Sequence, residues 1–238
     1  MRPRAHQRAT RALSLCLLIA GAALLGRAGY LKAKGVLAEH LIRRAWAGTL
    51  ITGRPQPPWP WADTHPVGRL QIPALGYDEV VLEDASPRNL AFGPARMMNA
   101  AAPGQAGNVV LAGHRTSWFR PLEHVRVGHV VVLSWRDAAS GAERSQRYRV
   151  SGTYVIEPSD GRFFQPTGAD VLTLITCYPF GRGPASRYRY VVRAHALAPG
   201  GRAPRRMTGR RERGPGFRER PDPRAFRSTS SGSRRRPA

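Results

Sequence analysis

Cys177 ends the run Val171-Leu172-Thr173-Leu174-Ile175-Thr176, and Pro179 and Gly181 break the chain just after it. A short apolar, β-branched run bounded by turn residues reads as a buried strand. A thiol at a strand end is rigidly held yet reachable, and its thiolate is a strong nucleophile toward carbonyl carbon. The chain has two cysteines, and Cys16 lies inside an apolar N-terminal stretch. Cys177 is therefore the one thiol of the remaining chain. An unpaired cysteine in an oxidising compartment is a liability unless it has a use. By residue type alone an inert, buried small hydrophobe is an equal reading. Two further segments have the same build. Gly107-Asn108-Val109-Val110-Leu111-Ala112-Gly113-His114 is a strand ending in an imidazole, a group that exchanges protons near neutral pH. Arg187-Tyr188-Arg189-Tyr190-Val191-Val192-Arg193-Ala194 is a strand with alternating arginines, whose guanidinium groups stay charged.

The elements that must position these residues are short strands. From 68 to 198, apolar runs at 69–72, 80–82, 108–112, 130–134, 148–156, 171–176 and 188–194 alternate with Gly, Pro and Asp. That spacing predicts a mainly β fold, a closed antiparallel barrel of about eight strands. Brief helices fit only near Asn89–Met97 and Trp118–Val125. The chain has 238 residues and 42% hydrophobic content, which suits one domain of about 150 residues plus appendages. Two cysteines exclude a disulfide scaffold and a four-cysteine zinc site.

The net charge is +23, and its placement matters more than its size. Residues 199–238 hold 13 Arg against 3 acids, +10, and the rest holds 25 basic against 12 acidic residues, +13. The tail is Gly, Pro, Ser and Arg with almost no aliphatics, so it is expected to be disordered. Residues 1–11 carry Arg2, Arg4, Arg8 and Arg11 and no acid, and residues 12–26 carry no charge. Counting past Arg27 to Leu31 gives 20 residues, the length of a membrane span if Arg27 snorkels. The arginines before it favour a cytoplasmic N-terminus. The lack of a clean small-x-small site favours an uncleaved anchor over a cleaved signal peptide. Residues 30–47 read as a helical stalk, with Leu37, Leu41 and Ala45 recurring at helical spacing. Pro55, Pro57, Pro58 and Pro60, with Trp59 and Trp61 between, then read as a linker. The expected divisions are 1–11 basic N-terminus, 12–31 anchor, 32–67 stalk and linker, 68–198 catalytic domain and 199–238 tail.

At the three segments around Cys177, His114 and Arg189 the sequence resembles the sortases, cysteine transpeptidases that join surface proteins to amines. The pattern TLxTC stands as Thr173-Leu174-Ile175-Thr176-Cys177, the histidine segment as Gly107 to His114, and the arginine pattern as Arg189-Tyr190-Val191-Val192-Arg193-Ala194. Cys177-Tyr178-Pro179-Phe180 resembles class D sortases, and Pro58-Trp59-Pro60-Trp61-Ala62-Asp63 resembles the Gram-negative, marine proteobacterial subgroup. The likeness covers about residues 12–198. It departs at Thr116-Ser117 and at Gly128-His129, where the family usually places acids; changed loop contacts are expected there.

The resemblance implies a sortase-type barrel behind an N-terminal transmembrane helix and assigns the chemistry. Cys177 attacks as a thiolate paired with the imidazolium of His114. His114 protonates the leaving amine and deprotonates the incoming one. Arg189 stabilises the oxyanion or holds the substrate backbone, and the backbone N–H after Thr176 adds support. Arg187 shares a face with Arg189 by strand alternation, but Arg189 lies deeper in the strand. Amide exchange needs no metal, and no cofactor is expected. The implied substrate is an exported protein with an LPxTG-like C-terminal sorting signal, and the acceptor is a primary amine. The implied location is the cell inner membrane, single-pass, with the catalytic domain on the periplasmic side and no nucleic-acid partner. Two rivals remain at this point. One is a hydrolytic cysteine peptidase of the same fold. The other is a basic membrane-associated binding protein driven by charge. His40, His65, His124, His129 and His195 read as exposed or structural, Asp160 and Asp170 as loop caps, and Trp118 and Phe119 as cleft wall or core.

Overall fold

The computed structural model describes residues 3–181, 183 and 187–198, with side chains from Ser14 onward. The tail at 199–238, expected to be disordered, lies outside the described residues.

One helix, α1 (Pro3–Thr52), carries the apolar stretch and the stalk without a break. It stops where Gly53 takes a left-handed φ of 74° and Pro55 removes a donor. By length and composition it is the one helix among the described residues able to cross a membrane. Leu17, Leu18, Leu24 and Leu25 are 64–76% exposed, so nothing in the fold covers this part. Further along, Ala38, Ile42, Ala45, Trp46 and Thr49 are buried. Their spacing makes one helical stripe, and Ile42 and Trp46 pack on Val80, Leu82 and Ala95. The packed face is thus turned by one residue from the Leu37–Leu41–Ala45 stripe expected from sequence, and Leu37 is left 57% exposed.

Eight strands close a barrel: β1 (Pro66–Ile72), β2 (Tyr77–Leu82), β3 (Ala95–Arg96), β4 (Asn108–Ala112), β5 (Val130–Arg136), β6 (Glu143–Ile156), β7 (Val171–Tyr178) and β8 (Tyr188–Ala196). Their order around the barrel is β1-β2-β3-β4-β7-β8-β6-β5. The mainly β, eight-stranded closed barrel matches the expectation, but it is not wholly antiparallel: β2–β3 and β4–β7 run parallel. The reason is connection length. The chain between β4 and β7 holds β5 and β6, long enough for β7 to return in the direction of β4. The helix expected near Asn89–Met97 shrinks to one 3₁₀ turn, Asn89–Ala91. Pro94 follows, and Ala95–Arg96 pair as β3. The second expected helix is the 3₁₀ turn Arg120–His124.

Inward side chains of all the long strands fill the barrel, including Leu70, Leu111, Leu133, Leu172, Leu174 and Val192. A separate cluster lies on the outer face of β4, β7 and β8: Val110, Ile175 and Val191, with Ile156 and Phe163. Alternation explains the division, since successive strand residues point to opposite faces.

Where α1 meets the barrel, charges converge. Arg43 donates to the Asp78 carbonyl at 2.9 Å, to Glu79 at 3.4 Å and to Glu39 at 3.1 Å. Burial pushes the Glu79 carboxyl up to about 7; Arg43 opposes this, and Glu39 and Asp78 add to it. A carboxyl that binds its proton more tightly when folded stabilises the fold at low pH. That contribution is lost as pH rises from about 4.5 to about 7, where the half-buried group must ionise. Glu79→Gln should therefore flatten the pH dependence of melting in this window. It should also raise the melting temperature at alkaline pH by about 2–4 °C, the shift that about 1 kcal/mol gives at this chain size. Thermal unfolding of the full chain in detergent across pH measures both.

Candidate active site

Strand β7 lies between β4 and β8. On its β8 side, Cys177 is the register partner of Arg189. On its β4 side the parallel register runs from Asn108–Val171 to Ala112–Ile175. The ladder continues one step, because the Gly113 N–H donates to the Ile175 carbonyl at 3.2 Å. The next residue, His114, therefore begins its turn beside the end of β7 that carries Cys177. Adjacent strands lie about 4.8 Å apart. Cys177 and Arg189 thus sit side by side on the outer face with Ile175 and Val191, and His114, two residues past the end of β4, completes a row at the ends of three strands. Cys177 and Arg189 are half-buried and His114 is exposed. Arg187 lies beyond the last register pair, Tyr178–Tyr188, and is exposed.

Local sequence sets each position. Gly113 precedes the histidine because nothing larger fits: a Cβ there would lie 2.7 Å from the Phe119 ring. Phe119 itself is fully buried in the barrel core, so it is not a cleft wall. The turn after β4 then closes on His114, whose carbonyl accepts from the N–H groups of Phe119 at 2.9 Å and Ser117 at 3.3 Å. Thr176 is buried, and its hydroxyl donates to the Gly113 carbonyl at 2.7 Å. It straps β7 to the histidine turn. The Arg189 guanidinium donates to the Tyr188 carbonyl at 3.2 Å.

Two contacts at this site were not legible beforehand. Arg115 donates to the carbonyl of Pro179 and, at 2.6 Å, to that of Gly183. It ties the histidine turn to the connection that follows Cys177. Its place directly after His114 was the available signal. Asn108 is buried at the start of β4. It accepts from the Thr173 hydroxyl at 2.7 Å and donates to the carbonyls of Phe163 at 2.8 Å and Gln165 at 3.3 Å. A lone amide heading an apolar run was its signal. Asn108 thereby fixes the 3₁₀ turn Gly161–Phe164, whose Phe163 covers the apolar patch of Val110, Ile175 and Val191. Arg193 lies over the Phe163 ring at 5.8 Å.

The remaining candidates fall outside the row. Asp160 caps the 161–164 turn by accepting from the Arg162 N–H, and the adjacent guanidinium holds its carboxyl below the usual range. Asp170 accepts from the Gly107 N–H at 3.0 Å. Both are loop caps, as expected. His129 accepts from the Arg126 N–H within a turn, and His40, His124 and His195 are exposed. Trp118 is half-buried and points at α1, donating to the Ala91 carbonyl at 3.4 Å. Among the described residues no group of three or more His, Cys, Asp and Glu is placed to hold a metal.

Asn108→Ala strands the buried Thr173 hydroxyl and two carbonyls. It should cost about 2 kcal/mol or more in denaturant unfolding, the penalty for unsatisfied buried polar groups. Proteolysis in the native state should quicken at 161–165 first.

Comparison with known proteins bears on the fold and the family. The chain is 29% identical over 115 residues to sortase A of Bacillus anthracis, which covers 47% of this chain and 51% of that protein. It thus spans about half the length of that curated relative. Among solved structures, a sortase D5 transpeptidase from Clostridium perfringens superposes with a TM-score of 0.54 at 18% identity, covering 68% of this chain and 99% of that one. Sortase A from Corynebacterium diphtheriae gives 0.50 at 23% identity, covering 58% and 63%. Identities this low speak for the fold. The sequence model of the sortase domain matches residues 70–197, more than half the chain and all three strands that carry the row. This protein belongs to the sortase family.

Proposed function

We propose that this chain is a membrane-anchored cysteine transpeptidase that cleaves a C-terminal sorting signal and joins the new end to an amine. The observation that supports this reading is the row itself: a thiol in register with an arginine on β8, beside the turn that follows β4 and carries a histidine. The Cys177 thiolate adds to the scissile carbonyl carbon, and the charge moves to its oxygen. Arg189 and the Cys177 backbone N–H, which follows Thr176, stabilise that oxyanion. The C–N bond breaks as His114 gives its proton to the departing amine, leaving a thioester on Cys177. A primary amine then attacks the thioester. His114 takes the proton, and the thiolate leaves. Both charges needed at the start, a thiolate and an imidazolium, are also present at the end.

The signal is read as an LPxTG-like peptide near the C-terminus of an exported surface protein, and the likeness of the Pro/Trp linker to the Gram-negative subgroup supports reading the enzyme as one of that kind. The apolar part of α1 is read as a single-pass inner-membrane anchor with a cytoplasmic N-terminus. Support comes from its length, its uncovered leucines and the four arginines before it. The acceptor separates transfer from hydrolysis. With an added amine the product should carry that amine; product ending only in a free carboxylate would mark a peptidase of the same fold.

Substitutions test the roles. Cys177→Ala should abolish peptide cleavage with the fold intact, and Cys16→Ala should not change turnover. Arg189→Ala should lower kcat/KM by about 10²-fold or more, the scale of losing one oxyanion donor. Arg189→Lys should not restore it, because a point charge does not reproduce the planar fork. Arg187→Ala, outside the register and screened by solvent, should cost roughly tenfold at most. Equal losses at the two arginines would overturn the assignment.

A further inference from the structure

Two crevices flank α1 where its apolar stretch ends. One, of about 370 Å³, includes Lys34, Leu37, Trp61 and Phe92 in its lining. The other, of about 420 Å³, includes Leu31, Lys32, Val36 and Trp118. Their rims are apolar and uncovered: Trp61 is 75% exposed, Val36 63%, Leu31 58% and Leu37 57%. Together these side chains make an exposed apolar patch of the kind that marks an interaction site, and the chemistry of what covers it is set by place and charge.

Place comes from the helix. With a rise of 1.5 Å per residue, Lys34 stands about 5 Å beyond Leu31 and Leu37 about 9 Å beyond it. The headgroup layer outside the hydrocarbon is about 5–8 Å deep on each side. The helix does not break between the apolar stretch and the part bolted to the barrel by Ile42, Trp46 and Arg43. The barrel is thus held at a fixed height, with the crevice that begins at Leu31 opening at headgroup depth and the one that begins at Lys34 reaching from that depth toward the barrel. Charge comes from Lys32 and Lys34, both at that depth in the lining of the second crevice, with Glu39 the acid beside them and Asp63 of the first crevice paired to Arg88. Tryptophans with a polar N–H on an apolar body suit this layer, and lysines beside them suit lipid phosphate.

We infer that the crevices are a membrane-docking surface: Trp61 and Trp118 enter the interface of an anionic bilayer while Lys32 and Lys34 meet lipid phosphates. The inference rests on the reading of α1 as an anchor. It adds that the catalytic barrel lies against the bilayer instead of standing clear of it. Trp118 follows His114 by four residues in one turn, so docking would hold the histidine loop at the bilayer surface.

The test uses the full chain reconstituted in phosphatidylcholine vesicles with or without phosphatidylglycerol, containing lipids brominated high on the acyl chain. Carbonate extraction reads the anchor independently. Trp61 and Trp118 are two of five tryptophans, so quenching of up to about two fifths of the emission is expected in anionic vesicles. Trp61→Phe, at a largely exposed position, should remove a good part of the quenching without disturbing the fold. Adding Trp118→Phe should remove most of the rest. Lys32→Glu with Lys34→Glu, or omission of the anionic lipid, should weaken it. Release by carbonate would remove the anchor reading. A carbonate-resistant protein with no quenching would overturn the docking proposal alone and leave the crevices to a protein partner. Quenching unchanged in the tryptophan variants, or equal in neutral and anionic vesicles, would also overturn it.

Discussion

The site depends on the mixed ladder of β7. Its antiparallel bonds to β8 set Cys177 opposite Arg189, and its parallel bonds to β4 lead the chain into the His114 turn on the other side. A slip of one residue in either ladder would send a member of the row to the opposite face of the sheet. The surrounding structure prevents that slip. Leu172, Leu174, Val109, Leu111 and Val192 must all face the barrel core, so register is fixed by burial. Gly113, the Thr176 hydroxyl and the Arg115 clamp then hold the last step, where the ladder gives way to the histidine turn. Three groups from distant parts of the chain are thereby held by backbone bonding, and little conformational freedom remains to be lost when a substrate arrives.

What could be read from the sequence follows from where information is local. Strands announce themselves as short apolar runs, and the runs at 108–112 and 171–176 coincide with β4 and the body of β7. β3 has two residues and no pattern of its own; it exists because Leu82 and Leu111 flank it. The parallel pairing of β4 with β7 is likewise invisible in either strand, since direction is set by the excursion between them. Asn108 and Arg115 act by contacts more than fifty residues away, which no window along the chain contains. Phe119 illustrates the opposite limit: its type allowed core or cleft, and only the tight approach to Gly113 decides.

The same continuity joins the N-terminal helix to the barrel. Its apolar start and its packed end are one element, so the half-buried Arg43–Asp78–Glu79 contact and the crevices around Lys34 belong to a single continuous helix. Burial pushes the Glu79 carboxyl up to about 7, so this joint loses stability as the pH rises toward neutral. The row on β4, β7 and β8 sits apart from it, on the outer face behind the patch that Phe163 covers.

The central claim is that Cys177 carries the acyl group. Intact-mass and peptide mapping of the full chain after exposure to an LPxTG-type peptide, quenched before amine is added, tests it most directly. The account predicts a hydroxylamine-labile adduct with the mass of the peptide's N-terminal fragment on Cys177, lost when a primary amine is supplied. Peptide cleavage with no adduct at Cys177, or an adduct on another residue, would contradict it.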